Sequence, residues 1–182
     1  RIGAIRALIN AGVDASLLLP GTGLTNVADT ARLSRACLDL GCSAVMTLPP
    51  FYFKAVHEDG LFKYFAELFA ELGGDAKVFL YHIQQVAGVG IPPALTARLR
   101  EAFPGNVIGI KDSSGDWDNT SQLLQIDGLI VYPGSELPLF RALQSGARGC
   151  ISATANLNAK AIGEVVRLFD AGDADGARSL HR

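Results

Sequence analysis

The apolar runs of this chain are short and continuous rather than alternating, and no other feature constrains the fold as much. They fall at residues 16–19, 42–48, 77–83, 107–110, 129–131 and 149–153. A strand with one wet face alternates apolar and polar residues. A continuous run implies that both faces are covered, as in a parallel sheet with helical crossovers. The segments between the runs carry helical stripes. In 27–40, Leu33, Cys37 and Leu40 share a face behind an Asn26 cap with Asp29 at the third position. In 58–72, Leu61, Phe65, Leu68, Phe69 and Leu72 make a wide apolar stripe. Pro92 and Pro93 pre-set a helix over 93–103. Shorter helices are expected over 119–126 and 137–145, a longer one over 158–171, and a further helical piece to the end.

Spacings of roughly 20 to 35 residues between runs are those of repeated βα units. Two architectures satisfy the pattern: a doubly wound open sheet, or a stretch of a (β/α)8 barrel. A whole barrel takes about 250 residues. With 182 residues and no linker or composition shift, the chain is expected to be a single domain over 1–182. It has no initiator Met and no signal peptide, and residues 1–11 already read as a helix, with Ile2, Ile5, Leu8 and Ile9 on one face. It is therefore read as a fragment that starts in mid-unit.

Half of the chain is apolar (49%) and 19% is charged, a globular balance. A formal charge of -2 without a Lys/Arg cluster gives no support for nucleic-acid or membrane-surface binding. Cys37, Cys42 and Cys150 are odd in number and lie in apolar or helical surroundings. They read as small buried hydrophobes of a reducing, cytoplasmic compartment. The three histidines have no metal-ligand spacing, and His57 and His181 read as solvated.

Lys111 is the residue on which a chemical reading turns. It ends the apolar run Val107-Ile108-Gly109-Ile110 and is followed by the polar Asp112-Ser113-Ser114-Gly115-Asp116. An amine held half in a dry interior favours its uncharged, nucleophilic form and can attack a carbonyl carbon. The lysines at 54, 63, 77 and 160 read as solvated surface charges. Polar and glycine residues follow nearly every other run: Gly21-Thr22-Gly23, Tyr52, Tyr81-His82, Gly134-Ser135-Glu136, and Ser152 to Asn156. In a parallel sheet these are the carboxyl ends, which share one side. Lys111 would form an imine with a keto group, and Tyr81 would move the proton as a carbon–carbon bond forms or breaks. An unperturbed phenol titrates near 10, so a tyrosine in this role needs a hydrogen-bonded relay, for which Tyr52 and Thr22 are candidates. Asp112, Asp116 and Asp118 read as caps of the following helix, and Cys150 as a core residue.

Taken together, these segments resemble the pyruvate-dependent class I aldolases and lyases, the dihydrodipicolinate synthase and N-acetylneuraminate lyase group. The resemblance runs from about Leu17 to the end. Gly21-Thr22-Gly23 resembles the turn after the family's third barrel strand, and Leu48-Pro49-Pro50-Phe51-Tyr52 the fourth-strand end with its relay tyrosine. Phe79-Leu80-Tyr81-His82 resembles the segment bearing the proton-transfer tyrosine. Ile108-Gly109-Ile110-Lys111-Asp112-Ser113 matches the Schiff-base segment, and Gly149-Cys150-Ile151-Ser152-Ala153-Thr154-Ala155-Asn156 the eighth-strand signature.

The resemblance implies a (β/α)8 TIM barrel lacking, in this chain, its first two βα units and the Gly-Thr-Thr-Gly-Glu turn that grips the carboxylate of pyruvate. It implies a lyase that joins or splits pyruvate and an aldehyde, without cofactor or metal, as a cytoplasmic homotetramer or homodimer. Lys111, Tyr81 and Tyr52 would be catalytic. Thr22, Ser113, Gly134, Ser135, Glu136 and Ile151 would contact substrate. One departure bears on specificity: where the synthase branch has Ser-Arg to bind the second substrate's carboxylate, this chain has Gln84-Gln85-Val86. Valine cannot make a bidentate ion pair, which disfavours aspartate semialdehyde and favours a 2-keto-3-deoxy sugar acid or a similar 2-oxo acid. The competing readings are 4-hydroxy-tetrahydrodipicolinate synthase itself, a non-catalytic doubly wound ligand-binding module, and an inactive regulatory paralogue.

Overall fold

A computed structural model describes residues 1–181 as two compact units, residues 1–108 and residues 109–181. In the first unit, α1 (Ile2–Asn10) leads through a 3-10 turn (Ala15–Leu17) to α2 (Val27–Asp39), β1 (Val45–Thr47), α3 (Glu58–Leu72), β2 (Val78–His82), the single turn α4 (Gln84–Ala87) and α5 (Pro93–Ala102). β1 and β2 pair in parallel, Val45 beside Val78 and Thr47 beside Leu80.

The helices form where capping and burial agree. The Asn26 side chain accepts the Asp29 N–H at 2.8 Å while its amide donates to the Asp29 carboxylate at 2.9 Å, so each residue satisfies the other at the start of α2. α3 has Glu58 and Asp59 in its first turn, buries Leu61, Phe65, Leu68 and Phe69, and ends at Gly73, whose φ of +88° suits glycine. α5 starts on Pro93 and buries Leu95, Thr96 and Leu99. No residue of α1 is buried, so its apolar face is only half covered.

The second unit contains β4 (Ile130–Pro133), α6 (Trp117–Leu123), α7 (Leu139–Gln144), α8 (Ala155–Asp170) and α9 (Ala174–His181). It also holds most of β3 (Val107–Asp112), which pairs in parallel with β4: Ile110 beside Val131 and Lys111 beside Tyr132. Its core is Leu139, Phe140, Leu143, Val165 and Ala177, with Cys150, Ile162, Val166, Leu168 and Phe169 packed against it.

Several sequence expectations need correcting. Residues 16–19 are not a strand. The Asp14 carboxylate accepts the Ser16 N–H and starts the 3-10 turn, and pairing shifts onward to Pro20–Thr22, where Gly21 bridges Met46. Residues 149–153 form no strand either. Gly149 has φ +145°, and the ladder is reduced to the Ile151 N–H donating to Pro133 O at 2.9 Å. The run at 42–48 contributes only Val45–Thr47, because the Cys42 N–H turns back to Cys37 O. α4 was not expected at all. α8 starts three residues earlier than the stripe suggests, across a kink at Asn158. β3 continues through Lys111 to Asp112, so the lysine lies within a strand rather than at its exit.

Candidate active site

Strand alternation sorts the residues of β3 and β4 onto two faces. Ile110, Asp112, Val131 and Pro133 are buried on one. Lys111 and its neighbour Tyr132, both half-buried, leave the sheet on the other. Asp112 is 3% exposed and makes this arrangement rigid. Its Oδ1 accepts the Ser114 N–H at 2.9 Å and its Oδ2 the Thr120 hydroxyl at 2.6 Å. Its carbonyl accepts the Gly134 N–H at 2.7 Å. The helix cap is Asp116 alone, which accepts the Asp118 N–H; Asp112 instead ties strand, loop and helix together.

The turn after β4 lies against the loop that follows β3. Gly134 packs so tightly on Ser113 that a Cβ there would overlap that residue's side chain and backbone. The Ser135 hydroxyl accepts the Leu137 N–H at 3.2 Å. The Glu136 carboxylate accepts the Ser152 hydroxyl at 2.5 Å, and Ser152 and Thr154 lie 2.8 Å apart through their hydroxyls. Hydrogen bonds from Ser152 and Thr154 hold the Glu136 carboxyl below the usual range, with the imidazole of His181 adding a smaller electrostatic contribution. His181 was read as solvated, but its Nε2 bonds Glu136 O at 2.7 Å and its ring packs near Phe140. Cys150 is half-buried, and burial together with the Glu136 charge pushes its thiol up to about 11.

The first unit carries the tyrosines. Tyr81 is half-buried on the face of β2 opposite Leu80 and His82. His82 is 3% exposed, and its Nδ1 lies 3.0 Å from the Ile91 nitrogen and 2.9 Å from its carbonyl oxygen, pinning the chain's return after α4. Tyr52 is 73% exposed, with its ring edge-on to Phe53 at 5.5 Å. Thr22 lies at the isolated bridge beside Met46. It is fully enclosed, its hydroxyl taken by Ser34 of α2 at 2.7 Å and its N–H donating to Met46 O.

The structure thus gathers Lys111, Ser113, Gly134, Ser135, Glu136 and Ile151 around the carboxyl ends of β3 and β4, and places Tyr52 and Tyr81 at those of β1 and β2. Among the described residues no group of three or more His, Cys, Asp or Glu could hold a metal ion. Sequence reasoning missed Lys54, whose Nζ donates to Phe51 O at 2.6 Å and Ala87 O at 2.7 Å. A lone lysine in a polar loop carries no signal of two backbone partners.

Residues 5–182 match the model of the dihydrodipicolinate synthetase family. The chain belongs to this family. It is 39% identical over 156 residues to a DapA-like lyase of Chloroflexus aurantiacus that is itself uncharacterised, an alignment covering 85% of the chain and 52% of the relative. It is 37% identical over 166 residues to the 4-hydroxy-tetrahydrodipicolinate synthase of Thermus thermophilus, covering 90% and 54%. The chain therefore spans about half the length of these curated relatives. Among solved structures, dihydrodipicolinate synthase from Agrobacterium tumefaciens superposes with a TM-score of 0.85 at 31% identity, covering 98% of this chain and 68% of that one. The 2-keto 3-deoxygluconate aldolase of Picrophilus torridus gives 0.86 at 22% identity, covering 100% and 65%, a likeness of fold alone. The succession of strands and helices is accordingly part of this family's (β/α)8 barrel, and the doubly wound alternative falls away.

Proposed function

We propose that the protein carrying this chain is a Schiff-base-forming lyase that makes or cleaves a carbon–carbon bond between pyruvate and an aldehyde. The observation that supports it is the placement of Lys111: a half-buried amine on the open face of β3, beside Tyr132, with Asp112 behind it fixing the strand's exit. In the synthetic direction the amine adds to C2 of pyruvate and water leaves, giving a protonated imine. Loss of a C3 proton makes an enamine, which attacks the aldehyde carbon. Tyr81, with Tyr52 as its relay, protonates the new alkoxide, and water then hydrolyses the imine to free Lys111. The imine nitrogen accepts the electrons that a carbanion would otherwise hold, so the reaction needs no metal.

Ser113, Gly134, Ser135, Glu136 and Ile151 shape the substrate side of the turn. The aldehyde partner is read from α4, where Val86 is 76% exposed in the stretch in which the synthase branch carries an arginine. A side chain that cannot bind a carboxylate favours a 2-keto-3-deoxy sugar acid or similar 2-oxo acid as product. The alternative, 4-hydroxy-tetrahydrodipicolinate synthase, has the name of the Thermus thermophilus relative in its favour. The enzyme works as a cytoplasmic homo-oligomer on this reading. Incubating the intact protein with pyruvate and borohydride is expected to add one reduced pyruvate at Lys111. Labelling elsewhere, or none, refutes the lyase. Turnover with aspartate semialdehyde exceeding that with polyhydroxylated aldehydes decides for the synthase.

A further inference from the structure

The loop that carries Tyr52 and the turn that carries Val86 are separate in sequence, but one side chain holds both. Lys54 donates to Phe51 O and Ala87 O at 2.6 and 2.7 Å, so its ammonium bridges residues 51–54 to the carboxyl end of α4. Cations are favoured at the carbonyl end of a helical turn. The surroundings are built for this bridge. Gly88 ends α4 at φ +70°, and a Cβ there would lie 2.7 Å from the Lys54 nitrogen. Ala55, the next residue after Lys54, is held at φ +53°, a conformation that alanine adopts only at a cost. α4 has four residues and cannot persist by its own hydrogen bonds. His82 fixes the return of this excursion at Ile91.

We infer that Lys54 is a positioning residue that couples the Tyr52 loop to α4 and so sets the geometry in which the aldehyde partner is received. The inference rests on the lyase reading above for its catalytic consequence, but not for the bridge itself. The amine touches neither reacting atom. It acts through Tyr52 on one side and through Gln84, Gln85 and Val86 on the other. Because Lys111 lies on a different strand, held by Asp112, the first half-reaction is independent of the bridge.

The test uses the intact protein with Lys54→Met, Lys54→Arg and Gly88→Ala. Lys54→Met is expected to trap pyruvate on Lys111 with borohydride at the wild-type rate, yet to lose about 10- to 100-fold in kcat/KM for the aldehyde, the scale of a misplaced partner. Lys54→Arg, which can still donate to two carbonyls, should recover most of that loss. Gly88→Ala should reproduce it by pushing the amine away. Amide hydrogen exchange should quicken at residues 51–55 and 84–88 in Lys54→Met and not around residue 111. Unchanged aldehyde kinetics in Lys54→Met, equal losses in Met and Arg, or a parallel fall in pyruvate trapping each overturn the inference. Should wild-type protein trap no pyruvate, the lyase reading fails. Exchange then decides alone, and unaltered exchange at both segments in Lys54→Met removes the bridge as well.

Discussion

Asp112 offers the sharpest test of how the candidate nucleophile is held. Its carboxylate is almost fully enclosed and accepts two donors, the Ser114 N–H at 2.9 Å and the Thr120 hydroxyl at 2.6 Å. A hydrogen bond to a charged group contributes about 1.5–3 kcal/mol, and a buried donor left alone costs about 1–3 kcal/mol. In Asp112→Ala the Thr120 hydroxyl keeps a second acceptor, Asp116 O at 3.1 Å, so most of the loss falls on Ser114. The expected destabilisation is about 2–4 kcal/mol. Against typical stabilities of about 5–15 kcal/mol, the variant still folds and can be assayed. Asp112→Asn should cost only about 1 kcal/mol. Its amide oxygen can accept from Ser114 and its amide nitrogen can donate to the Thr120 oxygen, whose own proton then goes to Asp116 O. Thr120→Val strips one donor from the enclosed carboxylate and should cost about 1–3 kcal/mol. The Asp112→Ala/Thr120→Val double variant should show a coupling of about 1–2 kcal/mol. Urea unfolding measures each term, and borohydride trapping of pyruvate follows the effect on Lys111, expected to be slowed in Asp112→Ala and nearly unchanged in Asp112→Asn. An Asp112→Ala protein as stable as wild type, or an Asn variant as damaged as the Ala variant, refutes the reasoning.

Other outcomes follow from the same geometry. The Glu136 carboxyl is held below its usual range by Ser152 and Thr154, so its stabilisation is present above the ordinary carboxylate range and is lost as pH falls through the lower folded value. Ser152→Ala, which removes the leading donor, should therefore flatten the acid limb of a stability–pH curve. Cys150, pushed up to about 11, should react with iodoacetamide at pH 8 on the order of 100-fold more slowly than an unperturbed thiol. Its contribution to stability is complete below the ordinary thiol range near 9 and declines as pH rises toward 11, so Cys150→Ser should lessen alkaline unfolding. Gly134→Ala drives a methyl into the side chain and backbone of Ser113 and should cost about 1–3 kcal/mol in urea unfolding.

The sequence makes the helices legible wherever a cap and a stripe coincide, as at Asn26 with α2 or Pro93 with α5. It overstates the strands because an apolar run reports burial, not pairing. Residues 16–19 and 149–153 are apolar, but a side-chain-capped 3-10 turn at one and a glycine at φ +145° at the other keep them from the ladder. α4 is illegible for a different reason: Gln-Gln-Val-Ala has no period, and its support comes from Lys54 and Gly88. The same holds within the site. That Lys111 and Tyr81 lie in the last two residues of their strands could be approximated from apolar runs that stop, although each strand runs one residue further. That the Thr22 hydroxyl turns into the protein to meet Ser34, twelve residues on, could not. Nor could the pairing of Glu136 with Ser152 or of His181 with Glu136 O, which join positions 16 and 45 residues apart.

One arrangement occurs in both units and explains how the candidate side chains are kept steady beneath the loops that follow them. At the end of β2 the half-buried Tyr81 is followed by the buried His82, and at the end of β3 the half-buried Lys111 by the buried Asp112. Strand alternation sends the second residue of each pair to the opposite face. There it bonds chain that lies beyond the strand: His82 to Ile91, Asp112 to Ser114 and Thr120. The anchor takes the strain of the departing loop on the covered face, so the residue before it keeps its direction whatever the loop contains. The segment between His82 and Ile91, with Gln84, Gln85 and Val86, can therefore differ without moving Tyr81. β1 ends differently: Thr47 is buried but its hydroxyl has no hydrogen-bond partner among the described residues, and the loop beyond it, with the exposed Tyr52, depends on the Lys54 bridge instead. That difference leaves the geometry of the Tyr52 loop to a side chain of the loop itself, Lys54, through its reach to Ala87 O.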